Sequence, residues 1–145
     1  MKAILGRKIG MTRVFKDGVA SRKDYRRFRI KTVSTPNDAA AVEEVVRRRY
    51  LRLKEEGRIL PDLVVIDGGR PQVYSANKQA ERLGINICII GLAKKKEQVW
   101  VYGKDKPLDI PLSCGAVKML QKVRDEAHRF AHNYHILLRT KGMFR

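Results

Sequence analysis

The sequence predicts an α/β domain built on a mixed sheet, and three observations carry that reading. A continuous β-branched run, Leu63-Val64-Val65-Ile66, ends at Asp67-Gly68-Gly69. A second apolar run spans Ile85 to Ile90, and the segment between the two has helical spacing. Strand, helix, strand in that order implies a parallel crossover of right-handed sense. The length, 145 residues, suits one domain,. There is no internal repeat, low-complexity tract or Pro/Ser-rich linker, so residues 1–145 are expected to form a single domain.

Taken in order, Met11 to Phe15 and Tyr25 to Val33 read as two strands joined through Lys16-Asp17-Gly18, since Asp-Gly between apolar runs is a strong hairpin signal,. Asn37 or Asp38 caps a helix whose apolar positions Val42, Val45, Val46, Tyr50 and Leu53 recur at helical spacing up to Gly57,. Leu63–Ile66, a continuous apolar run that is β-branched from Val64 on, has the pattern of a strand buried on both faces,. A second helix runs from about Pro71 to Leu83 and is closed by Gly84,. The strand from Ile85 to Ile90 stops at Gly91. Gln98–Tyr102 and Pro107–Leu112 form an expected second hairpin around residues 103–106. Ser113 caps a last helix to about Arg139, with a stripe of Val117, Leu120, Val123, Ala127, Phe130, Tyr134 and Leu138,.

Composition narrows the function. Thirty-two Lys and Arg against fifteen Asp and Glu give a net charge of +17, while 43% hydrophobic residues leave ample material for a core,. The excess is not a tail, because residues 1–60 hold 17 basic and 7 acidic groups and residues 61–145 hold 15 and 8. Such a charge is the electrostatic footprint of a nucleic-acid binder. Aromatics sit inside the basic clusters: Tyr25-Arg26-Arg27-Phe28-Arg29 and Arg47-Arg48-Arg49-Tyr50,. No apolar stretch approaches the roughly 20 residues of a bilayer span and no signal-like segment opens the chain, so a cytoplasmic setting without membrane contact is expected. Two cysteines make neither a disulfide framework nor a four-thiolate metal site; Cys88 reads as a small core residue,.

Asp67 is the most informative carboxylate. It lies just past the C-terminal end of a strand, where open α/β sheets place their ligand crevices, and two glycines follow it,. On the last helix, His128, His132 and His135 share one face, without the intervening Glu of a zinc-binding HExxH pattern,. His128 stands apart because Asp125 and Glu126 precede it, a setting for metal ligation or proton transfer,. Asp38 at a helix start is most simply a cap. Lys94, Lys95 and Lys96 form a solvated basic loop that would meet phosphate on a nuclease.

These residues carry a resemblance. VFKDG (14–18), DYRRFRIKTV (24–33), VRRRYLRL (46–53), LPDLVVIDGG (60–69), IIGLAK (89–94) and LQKVRDEAHRFA (120–131) are similar to the C-terminal endonuclease domain of the UvrC family, in the family's order. The resemblance covers residues 14–141. It implies a ribonuclease H-like fold and a nuclease making the 5′ incision at DNA lesions in nucleotide excision repair, with Mg²⁺ or Mn²⁺ and other excision-repair subunits as partners. It assigns Asp67 and His128 as catalytic and metal-binding residues, with Asp38 and Glu126 as further acidic candidates. Tyr25, Arg26, Arg27, Arg47, Arg48, Arg49, Tyr50, Arg70, Lys94 and Lys95 are then the expected nucleic-acid contacts.

The departures shape what is expected of activity. The family's first catalytic aspartate lies on a central strand ahead of VFKDG, and counting back places it just before Met1. Residues 1–15 instead resemble the start of a bacterial large-subunit ribosomal protein, through ILGRKIGMT, so an atypical or chimeric segment is expected there. The first, central strand is then missing or replaced, by Lys2–Leu5 or by a strand from a second copy in a homo-oligomer. Arg70-Pro71 stands where the family usually has Lys-Gly. The alternative reading is a non-catalytic nucleic-acid-binding module on the same scaffold.

Overall fold

The structure is a computed structural model and describes residues 9–12, 15–16, 19–20, 26–31 and 37–142. Seven strands and three helices follow in chain order among them. β1 (Ile9–Thr12) and β4 (Arg26–Arg29) form a two-stranded sheet. Between them, β2 (Phe15–Lys16) and β3 (Val19–Ala20) pair antiparallel, Lys16 facing Val19. The expected pairing of Met11–Phe15 with Tyr25–Val33 is kept in part, as β1 with β4, while Phe15 pairs with Ala20 instead. Pairing Lys16 with Val19 leaves two residues between the strands, the loop length an Asp-Gly pair favours,. Tyr25, Lys2–Leu5 and the Asp17-Gly18 pair lie outside the described residues.

α1 (Asp38–Glu55) begins as its sequence dictates: Asn37 is the cap, its Oδ1 accepting the Ala40 amide at 3.0 Å, and Asp38 adds negative charge in the first turn,. β5 (Leu63–Asp67), α2 (Arg70–Arg82) and β6 (Cys88–Ala93) make the expected parallel crossover, with Leu63 opposite Cys88 and Asp67 opposite Leu92. β7 (Gln98–Val101) then pairs antiparallel with β6, Gly91 opposite Trp100. The result is a mixed three-stranded sheet in the order β5-β6-β7. α3 (Gly115–Gly142) is the last helix. The fold is therefore α/β, three helices with a mixed sheet, in agreement with the expected ribonuclease H-like class.

Three local expectations change. The second apolar strand is shifted from Ile85–Ile90 to Cys88–Ala93, because the Ile85 amide donates to the Ala80 carbonyl at 3.0 Å and so belongs to the close of α2. Gly91 sits within β6 instead of ending it. The expected hairpin of Gln98–Tyr102 with Pro107–Leu112 is reduced to one bridge, Val99 to Leu108, since β7 spends its other edge on β6. Burial departs too. Only Ile66 of β5 is buried and Leu63 is 44% exposed, as befits a strand hydrogen-bonded on one side among the described residues. Cys88 is exposed, not a core residue.

The chain divides into two compact units, Met1–Gly10 with Phe28–Leu112, and Met11–Arg27 with Ser113–Arg145. In the first, Val46, Tyr50 and Leu53 of α1 meet Ile66 of β5, Ala76 and Ala80 of α2, and Ile85 and Ile89. Burying such side chains is worth about 1.5–3 kcal/mol each for the larger ones, which fixes the two helices on the crossover. In the second, α3 carries the expected stripe: Val117 is buried and Leu120, Val123, Ala127 and Phe130 are half-buried. Among the described residues no helix is long and apolar enough to cross a membrane.

Candidate active site

Asp67 ends β5 and is exposed at the strand's C-terminal edge. The turn that follows is held at three points. The Gly68 amide donates to the Leu92 carbonyl at 3.2 Å, continuing the parallel ladder one residue beyond the strand. The Gly69 amide donates to Gln72 Oε1 at 3.1 Å, so the third helical residue of α2 ties down the residue that caps it,. The Val73 amide donates to the Gly69 carbonyl at 3.1 Å as the helix starts, with Pro71 in its first turn,.

Both Gly68 and Gly91 are needed sterically. A Cβ on Gly91 would lie 2.5 Å from the Gly68 carbonyl oxygen and 2.5 Å from Val73 Cγ2, and one on Gly68 would meet Gln72 Cγ at 2.8 Å. The turn is thus pressed against β6, which places Asp67 on a stiff support beside the positive end of a 13-residue helix,. Arg70, at that helix start, donates to Asp105 at 2.6 Å across an exposed pair. Trp100 lies alongside; its Nε1 would be 3.8 Å from a Cβ built on Gly69. Sequence reasoning misses both Gln72 and Trp100. Gln72 has a signal, its position three after the capping glycine, whereas nothing in the pattern marks Trp100.

His128 lies on α3 in the other compact unit and is exposed. Glu126 is engaged by Arg129, whose Nε and Nη2 donate to its two oxygens at 2.7 and 2.6 Å, an exposed bidentate pair,. Arg124 reaches Asp125 at 3.2 Å in the same helix. Asp38 is exposed in the first turn of α1.

The expected nucleic-acid contacts separate by environment. Arg47, Lys94 and Lys95 are exposed; Lys96 and Glu97 beside them adopt positive φ of 64° and 50°. Arg48 donates to Glu44 at 2.9 Å. Glu44, 3% exposed, also accepts the Lys31 amide on both oxygens at 3.0 and 3.1 Å, joining the chain after β4 to α1. Arg49 and Tyr50 are buried at 7% and 9% exposure, which corrects their reading as surface contacts. A residue enclosed by the core cannot present its charge or ring face to a duplex. Arg26 and Arg27 fall in β4, and Tyr25 lies outside the described residues.

The donor set bears on a metal. Among the described residues no three His, Cys, Asp or Glu side chains gather into a group able to hold an ion. A hard divalent cation of the Mg²⁺ type fits an exposed carboxylate such as Asp67, because it takes one or two carboxylates and fills its shell with water and substrate phosphate.

Comparison with known proteins adds the decisive context. The model of the UvrC RNAse H endonuclease domain matches residues 6–132. Three relatives called UvrABC system protein C are 46% identical in Chlorobium chlorochromatii, 44% in Methanococcus maripaludis and 48% in Flavobacterium psychrophilum. The alignments cover 87%, 94% and 89% of this chain and 20%, 26% and 22% of those proteins, so the chain spans about a quarter of their length. The family match takes in residues 6–13, part of the segment likened to a ribosomal protein, and that likeness gains no support. With its crossover, its strand-end carboxylate and a match over most of its length, the chain belongs to the UvrC RNase H endonuclease domain family.

Proposed function

We propose that this chain is a divalent-metal-dependent DNA endonuclease domain that makes the 5′ incision of nucleotide excision repair, acting in the cytoplasm with other excision-repair subunits. The observation that carries the reading is the exposed Asp67 at the C-terminal end of β5, braced by the Gly68–Gly91 contact at the start of α2,. In this reading Asp67 and His128 each have a part in catalysis, and Mg²⁺ or Mn²⁺ is the metal that they would serve. The ion, when bound, activates water and offsets charge on the scissile phosphate. Asp67 supplies the fixed negative charge, and its stiff turn keeps the carboxylate from wandering, which matters because misplacement by about 1 Å costs on the order of 10²-fold in rate. His128 is the group assigned to take or return a proton at a ring nitrogen. Arg47, Lys94 and Lys95 bind and orient the DNA backbone.

The test is incision of nicked or lesion-bearing duplex with Mn²⁺, comparing the chain with Asp67→Asn and His128→Ala. Each substitution is expected to lower the incision rate by about 10²- to 10⁴-fold while leaving DNA binding in place. Incision equal to background in all three proteins, with salt-sensitive binding intact, would instead establish the non-catalytic binding module.

A further inference from the structure

Beside Arg70, an expected nucleic-acid contact, one face of α2 carries features that the nuclease reading does not use. Arg70, Tyr74 and Lys78 stand four residues apart, in line along roughly 12 Å of helix,. Tyr74 is 53% exposed, although nothing about a covered helix face requires a tyrosine there. Tyr102, directly after β7, brings its ring centroid to 5.7 Å from that of Tyr74, with the planes inclined at 43°. Lys78 Nζ lies 5.8 Å from the Tyr74 ring centroid. Trp100, two residues before Tyr102, lies beside Gly69 at the foot of the same helix. Aromatic rings and cations thus alternate along a surface that begins three residues after Asp67.

The cations here are available to a ligand. Arg70 pairs with Asp105 and Lys78 with Glu81 at 3.8 Å, but both pairs are exposed, and exposed pairs hold their partners weakly,. Lys104 and Lys106 flank Asp105 and are exposed as well. A ligand matching this surface offers flat rings and negative charges in alternation. An unpaired nucleotide does so: its base stacks on an aromatic face while its phosphate meets a cation, and such stacking tolerates any sequence. An acidic peptide would use the cations and leave the rings idle.

We propose that the Tyr74–Tyr102 pair, with Arg70 and Lys78, is a stacking platform for single-stranded DNA leaving the strand end at Asp67. This deepens the proposed nuclease function and rests on it: the domain takes a strand freed from its partner next to the bond it cuts. Trp100, the chain's single tryptophan, is a built-in reporter.

The test titrates the full chain with a short oligothymidylate and follows Trp100 emission, alongside a blunt duplex at the same salt. Tyr74→Ala and Tyr102→Ala are each expected to weaken oligothymidylate binding by about 5- to 150-fold, with little change for the duplex. Tyr74→Phe, which keeps the ring, should retain wild-type binding, and unchanged circular dichroism and melting would show that the Ala variants fold. Oligothymidylate affinity unaltered in both Ala variants would overturn the platform. So would polyglutamate competing as well as oligothymidylate, since the surface would then read charge alone. Asp67→Asn separates the two readings: it should lower incision by about 10²- to 10⁴-fold yet leave oligothymidylate binding intact. Incision independent of Asp67 with binding still dependent on Tyr74 defeats the nuclease and keeps the platform.

Discussion

Tyr50 shows how a side chain that looks like a nucleic-acid contact becomes part of the core. Burial pushes its hydroxyl up to about 12, against a smaller lowering by the Arg49 guanidinium. A phenol with a raised value favours its neutral form in the folded chain, whereas the unfolded chain begins to ionise near the usual value of 10. Above that pH the unfolded state binds fewer protons than the folded one, so stability falls as pH rises. The contribution is complete below pH 10 and is lost by about pH 12, a change of roughly 2–3 kcal/mol,. Chemical denaturation across that window should show the decline in the native chain and a flatter profile in Tyr50→Phe, while ultraviolet titration of the folded protein should show one tyrosine ionising late. Equal slopes in the two proteins would remove Tyr50 as the cause. On the exposed side of the same helix, the Arg52 guanidinium, hydrogen-bonded at 2.6 Å, holds the Glu56 carboxyl below the usual range, but such a surface pair does little for the fold,.

At the scale of elements, the decisive feature is the turn between β5 and α2 lying against β6. Gly91→Ala is expected to cost about 1–3 kcal/mol, because the added Cβ meets backbone on one side and Val73 on the other,. Thermal melting should register a drop of several degrees. Incision should fall further than stability alone explains, since the displaced atom belongs to Gly68, the neighbour of Asp67. Retained activity at full stability would mean that the turn has slack. The crossover itself is legible in the sequence because continuous β-branched runs and a capped helix between them admit few arrangements. The register of β6 is not. Ile85 is apolar because it is buried at the close of α2, and hydrophobicity reports burial without distinguishing it from strand pairing. Gly91 has the look of a stop in sequence, when its missing side chain is what lets two strands and a turn converge. The site divides the same way: Asp67 follows from its place after a strand, whereas Trp100 and Gln72 emerge only from the packing of the turn against its neighbours.

For the molecule as a whole, a net charge of +17 is a statement about encounter with a polyanion, and the structure decides which charges take part,. In sequence, Arg47-Arg48-Arg49 is one block of three. On a helix the residues fan out by about 100° each, so Arg47 faces solvent, Arg48 meets Glu44 and Arg49 turns into the core,. Duplex affinity should fall steeply with salt, log K against log salt having a slope near −0.9 for each phosphate neutralised. Substituting Arg47, Lys94 and Lys95 together with Gln should lower affinity for every sequence alike and flatten that slope by about one unit for each phosphate left without its cation. Arg49→Gln is expected to behave oppositely, lowering the melting temperature and leaving the salt slope where it was. Were Arg49→Gln to flatten the slope at unchanged stability, the buried arginine would have to emerge on binding. The folded arrangement of α1 would then not be the form that meets DNA.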